Sequence, residues 1–369
     1  MRMSMLCIVV VSVAVSVAGC VALPPNYAAA DFGAEPKIDV HVHINSADPA
    51  LIEQAHADGF RLLTINVDYP DFPPLAQQRA LARAHAQSHP ELVAFAATFS
   101  MAGWDQPGWQ AQVLKDVDDA FTDGAVAIKV WKNIGMEFRD SAGKLVMIDD
   151  PRFDPVFERV RERGKVLIGH QGEPHNCWLP LEQMTVSNDR EYFHEHPQYH
   201  MFLHPDLPSY QAQMAARNRM LDRNPRLHFM GAHMASLEWS ITELARFLDR
   251  YPLAVVDLAA RMGQVQYQSN LDHAAVRAFF IRYQDRLLYG TDLTQDASTE
   301  SGTMRKEAHE RWLADWIYFN TAQTQSVAEL EASVPGLALP RGVIDKLYHR
   351  NAERLFGAVW RAAGTGGAK

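Results

Sequence analysis

Short apolar runs and helix-period segments alternate along the chain from Ile38 onward. The runs fall at Ile38–Ile44, Leu62–Val67, Leu92–Thr98 and Val126–Trp131, then at Val166–His170, Leu227–His233, Leu253–Leu258 and Leu287–Asp292. Between most of them apolar positions recur at helical spacing, as in Leu75–Ser88, Trp109–Thr122, Phe153–Arg163 and Ser240–Arg250. Continuous apolar strands separated by amphipathic helices predict parallel strands covered on both faces. Eight such repeats between Ile38 and Asp292 fit a (β/α)8 TIM barrel, which takes roughly 250 residues. A doubly wound open sheet competes with this reading. It would bring a glycine-rich phosphate turn after the first strand, and none follows Ile44. Residues 171–226 then form a long insertion after strand five. Residues 293–369 form a C-terminal extension, predicted helical from about His309 and again over Val343–Ala362.

Polar residues interrupt this pattern in a restricted set of places. The first strand reads Ile38-Asp39-Val40-His41-Val42-His43-Ile44. Strict alternation turns its four apolar residues toward the helices and points Asp39, His41 and His43 into the barrel. One buried histidine is usually a satisfied core residue. Two at i and i+2, at the C-terminal end of an inner face, converge as metal ligands must. Later runs close on a polar residue with a small residue just before it: His170 after Gly169, His233 after Gly231-Ala232, and Asp292 after Gly290-Thr291. Catalytic groups of barrels come from several strand ends at this one face.

Asp-x-His-x-His on strand one, single histidines closing strands five and six, and an aspartate closing strand eight resemble the amidohydrolase superfamily. The branch most similar is its second family, which includes aminocarboxymuconate-semialdehyde decarboxylase and related hydrolases, lactonases and decarboxylases. The ending Asn351-Ala352-Glu353-Arg354-Leu355-Phe356-Gly357 resembles that branch's C-terminal helix, so the likeness spans roughly Lys37–Gly357. The resemblance implies that His41, His43, His170 and Asp292 hold one divalent metal. Zinc is the expected ion, with manganese or another divalent ion as the alternative. It also implies that His233 contacts the activated water or the substrate oxyanion. Neutral imidazoles with a carboxylate suit zinc, and an open position lets it lower the pKa of a bound water to about 7. Asp292 is placed both to coordinate and to accept the water's proton.

Lys129 points inward by parity in Ala127-Ile128-Lys129-Val130-Trp131. Binuclear members of the superfamily carry a carboxylated lysine there. The simpler reading is a free amine that binds a substrate carboxylate or pairs with Asp39. Gln171, Glu173 and Trp178, just past a proposed ligand, are expected to contact substrate, beneath a lid formed by the insertion. Arg261, beyond strand seven, either binds an anionic substrate group or forms a surface ion pair. His175, His194, His196, His200 and His204 read as loop-packing or surface residues. His194-Glu195-His196 precedes Pro197, which breaks a helix interior, so it is not a helical zinc motif. Cys177 lacks a base partner and reads as a packed thiol.

Lys and Arg total 35 and Asp and Glu 44 in 369 residues, a net charge of −9. That balance argues against sequence-independent binding of nucleic acid. Three cysteines exclude a disulfide framework. Before Asp31 the only charge is Arg2, followed by an apolar run, Leu6 to Val17, and by Val17-Ala18-Gly19-Cys20. This describes a signal peptide over residues 1–19. The small residues directly before Cys20 resemble a bacterial lipobox, with Val17 where leucine is usual. Cys20 is then the lipidated residue, residues 20–36 a tether, and residues 37–369 the barrel. An ordinary signal peptide cut near Ala28-Ala29-Ala30 is the alternative. Both imply export, and the first implies a membrane-anchored lipoprotein facing the periplasm or cell exterior.

The sequence therefore predicts a metal-dependent hydrolase acting on an amide, ester or lactone of a small molecule. A metal-dependent, non-oxidative decarboxylase of a small unsaturated or aromatic acid is the enzymatic alternative. A non-catalytic binding lipoprotein is the alternative of another class. Oligomeric state is left open.

Overall fold

The structure, a computed structural model, describes residues 25–357 and 359–360. Eight parallel segments form the wall of a barrel. They are β1 (Lys37–Ile44), β2 (Phe60–Ile65), β3 (Val93–Thr98), β4 (Ala127–Val130), β5 (Val166–Gly169), β6 (His228–Gly231), β7 (Ala254–Asp257) and β8 (Leu287–Leu288). A ninth, β9 (Leu293–Gln295), continues the last segment, and the sheet order is β8-β7-β6-β5-β4-β3-β2-β1-β9. Leu287 and Leu288 pair with β7, whereas Leu293 to Gln295 pair with β1. The chain between them breaks from the ladder at Asp292, whose φ is +70°. One segment therefore closes the ring by changing neighbours. The predicted TIM barrel is present.

The alternation expected of β1 fails at one point. Asp39 is opposite Leu62 and Val42 opposite Thr64, so three steps on β1 match two on β2. The extra residue is a β-bulge, and it shifts side-chain parity by one. Ile38 and Val40 accordingly join Leu63, Ile65, Ala96, Ile168, Met230 and Leu288 in the barrel interior. Asp39 points the other way, toward the helix Ser301–Asn320, where Trp312 Nε1 donates to it at 3.0 Å. The inward placement of Asp39 predicted from strict alternation is thus corrected, and so is its pairing with Lys129. Beyond the bulge, His41 and His43 face inward as expected, and Val42 and Ile44 pack against the helices.

Helices Leu75–Ser88 and Trp109–Thr122 run over the predicted residues, because their apolar stripes are uninterrupted. The insertion holds helices Ser187–Glu195 and Tyr210–Arg223. The C-terminal helix starts at Ser301 rather than near His309, since the Glu300 side chain accepts from Thr303 N at 2.7 Å and caps it. A hairpin, Thr324–Val327 with Ala332–Pro335, follows.

The final helical stretch covers Arg341–Phe356 in three pieces. Within it Asn351 donates to Gln284 O (2.7 Å) and Leu287 O (2.8 Å), clamping the start of β8. Ala352, Phe356 and Trp360 join the interior cluster at the N-terminal end of the strands. The C-terminal motif is therefore a plug, far from the polar face. Tyr27 and Phe32, in the stretch read as a tether, pack against Trp316 with ring centroids 5.5 and 6.2 Å away. The packing of the barrel thus takes in residues that precede β1. Among the described residues no helix is long and apolar enough to cross a membrane.

Candidate metal centre

At the C-terminal end of the strands a cavity of about 240 Å³ opens between His41, His43, His170, His233, Lys129 and Asp292. Five elements, far apart in sequence, bring these groups together. His41 and His43 come from β1 after the bulge. His170 directly follows β5, Lys129 lies on β4, and Asp292 sits at the break in the last segment. His233 follows β6 on a turn whose four residues, His233, Met234, Ala235 and Ser236, all have φ between +54° and +57°. A left-handed run of non-glycine residues is costly, roughly 1–2 kcal/mol each. It persists because its polar groups are held from several sides. His233 N donates to Asp257 Oδ1 (2.7 Å), Tyr210 Oη to Ser236 O (2.5 Å), and Arg217 to Ala235 O. Gly231 makes room, since a Cβ there would lie 2.5 Å from Ala235 Cβ.

Hydrogen bonds assign the imidazole protons. His41 Nδ1 lies 2.9 Å from Asp257 Oδ2, His43 Nδ1 2.7 Å from Ile65 O, and His233 Nδ1 2.9 Å from Ala259 O. Each partner only accepts, so each Nδ1 carries the proton and each Nε2 offers a lone pair. His41 Nε2 and His43 Nε2 then lie 3.3 and 3.2 Å from Asp292 Oδ1, acceptor facing acceptor. His170 Nε2 is buried and has no hydrogen-bond partner. Among the described residues the one donor near these lone pairs is Lys129 Nζ, 3.4 Å from His41 Nε2, so the His43 lone pair and the carboxylate still face each other and call for a cation. His41, His43 and Asp292 lie close enough together to fit a divalent metal, and His170, which lines the same cavity with its ring 4.2 Å from that of His233, is the further candidate ligand.

The electrostatics agree. Burial lowers His41, and it drives His170 and His233 well below the ordinary histidine value, with neighbouring positive groups adding to it. These imidazoles are neutral, the form in which they ligate. Burial pushes the Asp292 carboxyl up, and His233, His41 and His43 hold it well below its usual range only while they carry protons, so with neutral rings the carboxylate needs a cation beside it. Lys129 is lowered to about 8 by burial, only partly opposed by Asp257 and Asp292. Its Nζ lies 3.4 Å from His41 Nε2.

Sequence reading missed Asp257, the polar end of the apolar strand Ala254-Val255-Val256-Asp257. Position was the available signal, since it closes its strand at the same face as the other site residues. It also missed the aromatic wall. Phe72 lies 5.1 Å from the His43 ring, and Tyr69 lies 4.8 Å from Trp131; all three line the cavity. Of the residues expected to meet substrate, Lys129 lines the cavity, and Glu173 reaches its edge by an ion pair with the lining Lys132. Gln171, Trp178 and Arg261 do not line it. Trp178 Nε1 donates to Pro208 O at 3.3 Å, and Arg261 donates to Ala260 O at 2.8 Å. His175 stacks on Trp239, while His200 and His204 bond to Leu179 O and Pro197 O. Cys177 is buried, and its thiol faces Tyr199 O at 3.1 Å.

Comparison with known proteins then decides the family. The Amidohydro_2 family model, described as amidohydrolase, matches residues 38–358. The chain belongs to the amidohydrolase family. Its members are metal-dependent enzymes, and this one carries the His and Asp groups to hold a metal. Among solved structures, an uncharacterized TIM-barrel protein from Bordetella bronchiseptica is 14% identical, with a TM-score of 0.53 over 89% of this chain and 100% of that one. That likeness shows the shared fold. A 2,6-dihydroxybenzoate decarboxylase from Rhizobium is 15% identical, with a TM-score of 0.49 over 87% of this chain and 98% of that one. No curated protein matches the sequence.

Proposed function

We propose that this amidohydrolase hydrolyses an amide, ester or lactone of a small molecule, with one divalent metal, zinc by its donor set, held by His41, His43, His170 and Asp292. The observation that carries the reading is the convergence of the unprotonated Nε2 atoms of His41 and His43 on Asp292 at the C-terminal end of the barrel strands. When bound, the metal supplies Lewis acidity toward water and a carbonyl oxygen. The protein's own groups do the rest. His233, protonated at Nδ1 by its bond to Ala259 O, presents Nε2 as an acceptor. It therefore orients a water and takes its hydrogen bond; as a neutral imidazole it cannot donate to an oxyanion from that atom. Asp292 receives the water's proton and passes it to the leaving group. Phe72, Tyr69 and Trp131 keep one side of the cavity dry.

A second reading has its own support. The same cavity sets the aromatic wall beside two ammonium groups, Lys129 and Lys132, a setting that suits a planar carboxylate. Decarboxylation of a small unsaturated or aromatic acid would use it. Metal-replete protein is to be screened against lactones, esters, N-acyl compounds and aromatic acids, with carbon dioxide release followed alongside. The hydrolase reading expects turnover without carbon dioxide, and release of the gas from an acid selects the second reading. Substituting His41→Ala together with His43→Ala should remove metal and turnover together. Full activity of that variant after chelation would sink both readings.

The N-terminal reading is also a proposal, since residues 1–24 lie outside the described residues. Val17-Ala18-Gly19-Cys20 supports export and a lipid anchor at Cys20 in the bilayer. Cys20→Ser should release the protein from the detergent-extracted membrane fraction or leave its precursor uncut. Unchanged processing would favour an ordinary signal peptide.

A further inference from the structure

We infer that Asp257 is a positioning residue that sets two groups of the metal centre at once: the tautomer of His41 and the place of His233. This rests on the reading of His41 as a metal ligand. Asp257 ends β7, is fully buried, and spends both oxygens on the site. Its Oδ2 takes the Nδ1 proton of His41 at 2.9 Å. A carboxylate that can only accept keeps that proton on Nδ1, so the Nε2 lone pair points into the cavity, 3.3 Å from Asp292 Oδ1. Its Oδ1 takes the backbone N–H groups of His233 at 2.7 Å and Ala259 at 3.2 Å. The first bond anchors the start of the left-handed turn that carries His233. The second holds the loop whose Ala259 carbonyl in turn fixes the His233 ring at Nδ1, 2.9 Å away.

Backbone and ring of His233 therefore both trace to one carboxylate, and that carboxylate also orients His41. The two imidazole rings sit 4.7 Å apart, and no other described side chain bonds to both residues. Asp257, His41 and His233 are close enough that the carboxylate could instead be a ligand itself. Its oxygens, however, already accept three N–H groups. An amide in its place would keep the shape but present an NH₂ group to one of those donors.

The test is metal affinity, read by chelator competition on the stripped protein, with Asp257→Asn compared to wild type. Zinc binding should weaken about 10- to 100-fold, the scale for losing a carboxylate behind a ligating histidine, and the circular dichroism spectrum should be unchanged. Affinity within twofold of wild type in a folded D257N would overturn the inference, and so would complete loss of zinc, which would make Asp257 a ligand. Should D257N not fold, the wild-type protein decides. In stripped protein labelled with ¹⁵N-histidine, the His41 signal, assigned by its absence in His41→Gln, should report the Nδ1–H tautomer, and the Nε2–H form would refute the proposal. Wild-type protein that binds no divalent metal would refute the functional reading instead, and leave the tautomer result standing.

Discussion

Trp312 donates its indole N–H to Asp39 across 3.0 Å, from a helix 273 residues further along the chain. Asp39 also accepts from Thr291, through N at 3.1 Å and Oγ1 at 2.5 Å. Burial raises its carboxyl to about 7 against these bonds. The bond ties the bulge of β1 to the helix behind it and to the residue before Asp292, so the barrel closes beside the metal centre. Trp312→Phe keeps most of the ring stacked on Phe60 but leaves the carboxyl one donor short. We expect a loss of about 1–3 kcal/mol in stability, measured by urea unfolding. An unchanged midpoint would show that this bond holds nothing.

His233→Asn separates chemistry from metal binding. Asparagine tolerates the left-handed backbone at this position, so the turn should persist. Metal content should stay near that of wild type while the rate falls on the order of 10²–10³-fold. Metal analysis beside steady-state kinetics checks this. Loss of metal in step with activity would make His233 a ligand.

Metal stoichiometry decides what Lys129 does. As a free amine it leaves one site, built from His41, His43, His170 and Asp292. One metal per chain should bind, and bicarbonate should not help reconstitution. Its neighbours support the amine, because Asp257 and Asp292 partly offset the cost of burying it. Two metals by elemental analysis, both lost in Lys129→Met, would show a carboxylated bridge.

Asp315 gives a pH-dependent stability. It is buried on the helix Ser301–Asn320, accepts from Tyr289 Oη at 2.7 Å, and is raised by burial to about 6. The folded state thus holds this proton between about pH 4 and 6, where the unfolded chain has released it. Stability contributed by the group is full below that window, falls as pH rises through it, and stays low above. Asp315→Asn keeps an acceptor for Tyr289 without the charge. Relative to wild type it should gain on the order of 1–3 kcal/mol at pH 8, and clearly less at pH 4.5. Equal differences at the two pH values would rule out this assignment.

The eight-strand alternation, the two long helices Leu75–Ser88 and Trp109–Thr122, and the polar strand ends His41, His43, His170, His233 and Asp292 are all readable along the chain. These were legible because they are local: period two or 3.6 along the chain, with polar residues where apolar strands stop. Tertiary structure alone decided the rest. Asp39 faces outward because β1 carries one residue more than β2 can match, a property of the register between two strands. Asp257 matters through an oxygen that meets His41 from β7, one segment away from β1 around the closed ring. His233 reaches the cavity on a left-handed turn that its own residue types disfavour, held by Asp257, Tyr210 and Arg217 from other elements. The last segment changes neighbours at Asp292 to close the ring, and only the closed ring brings Asp292 to His41 and His43. Pattern reports which face a residue prefers, but the partners that override a preference sit on other elements, 18 to 26 residues away at the His233 turn and 216 between His41 and Asp257.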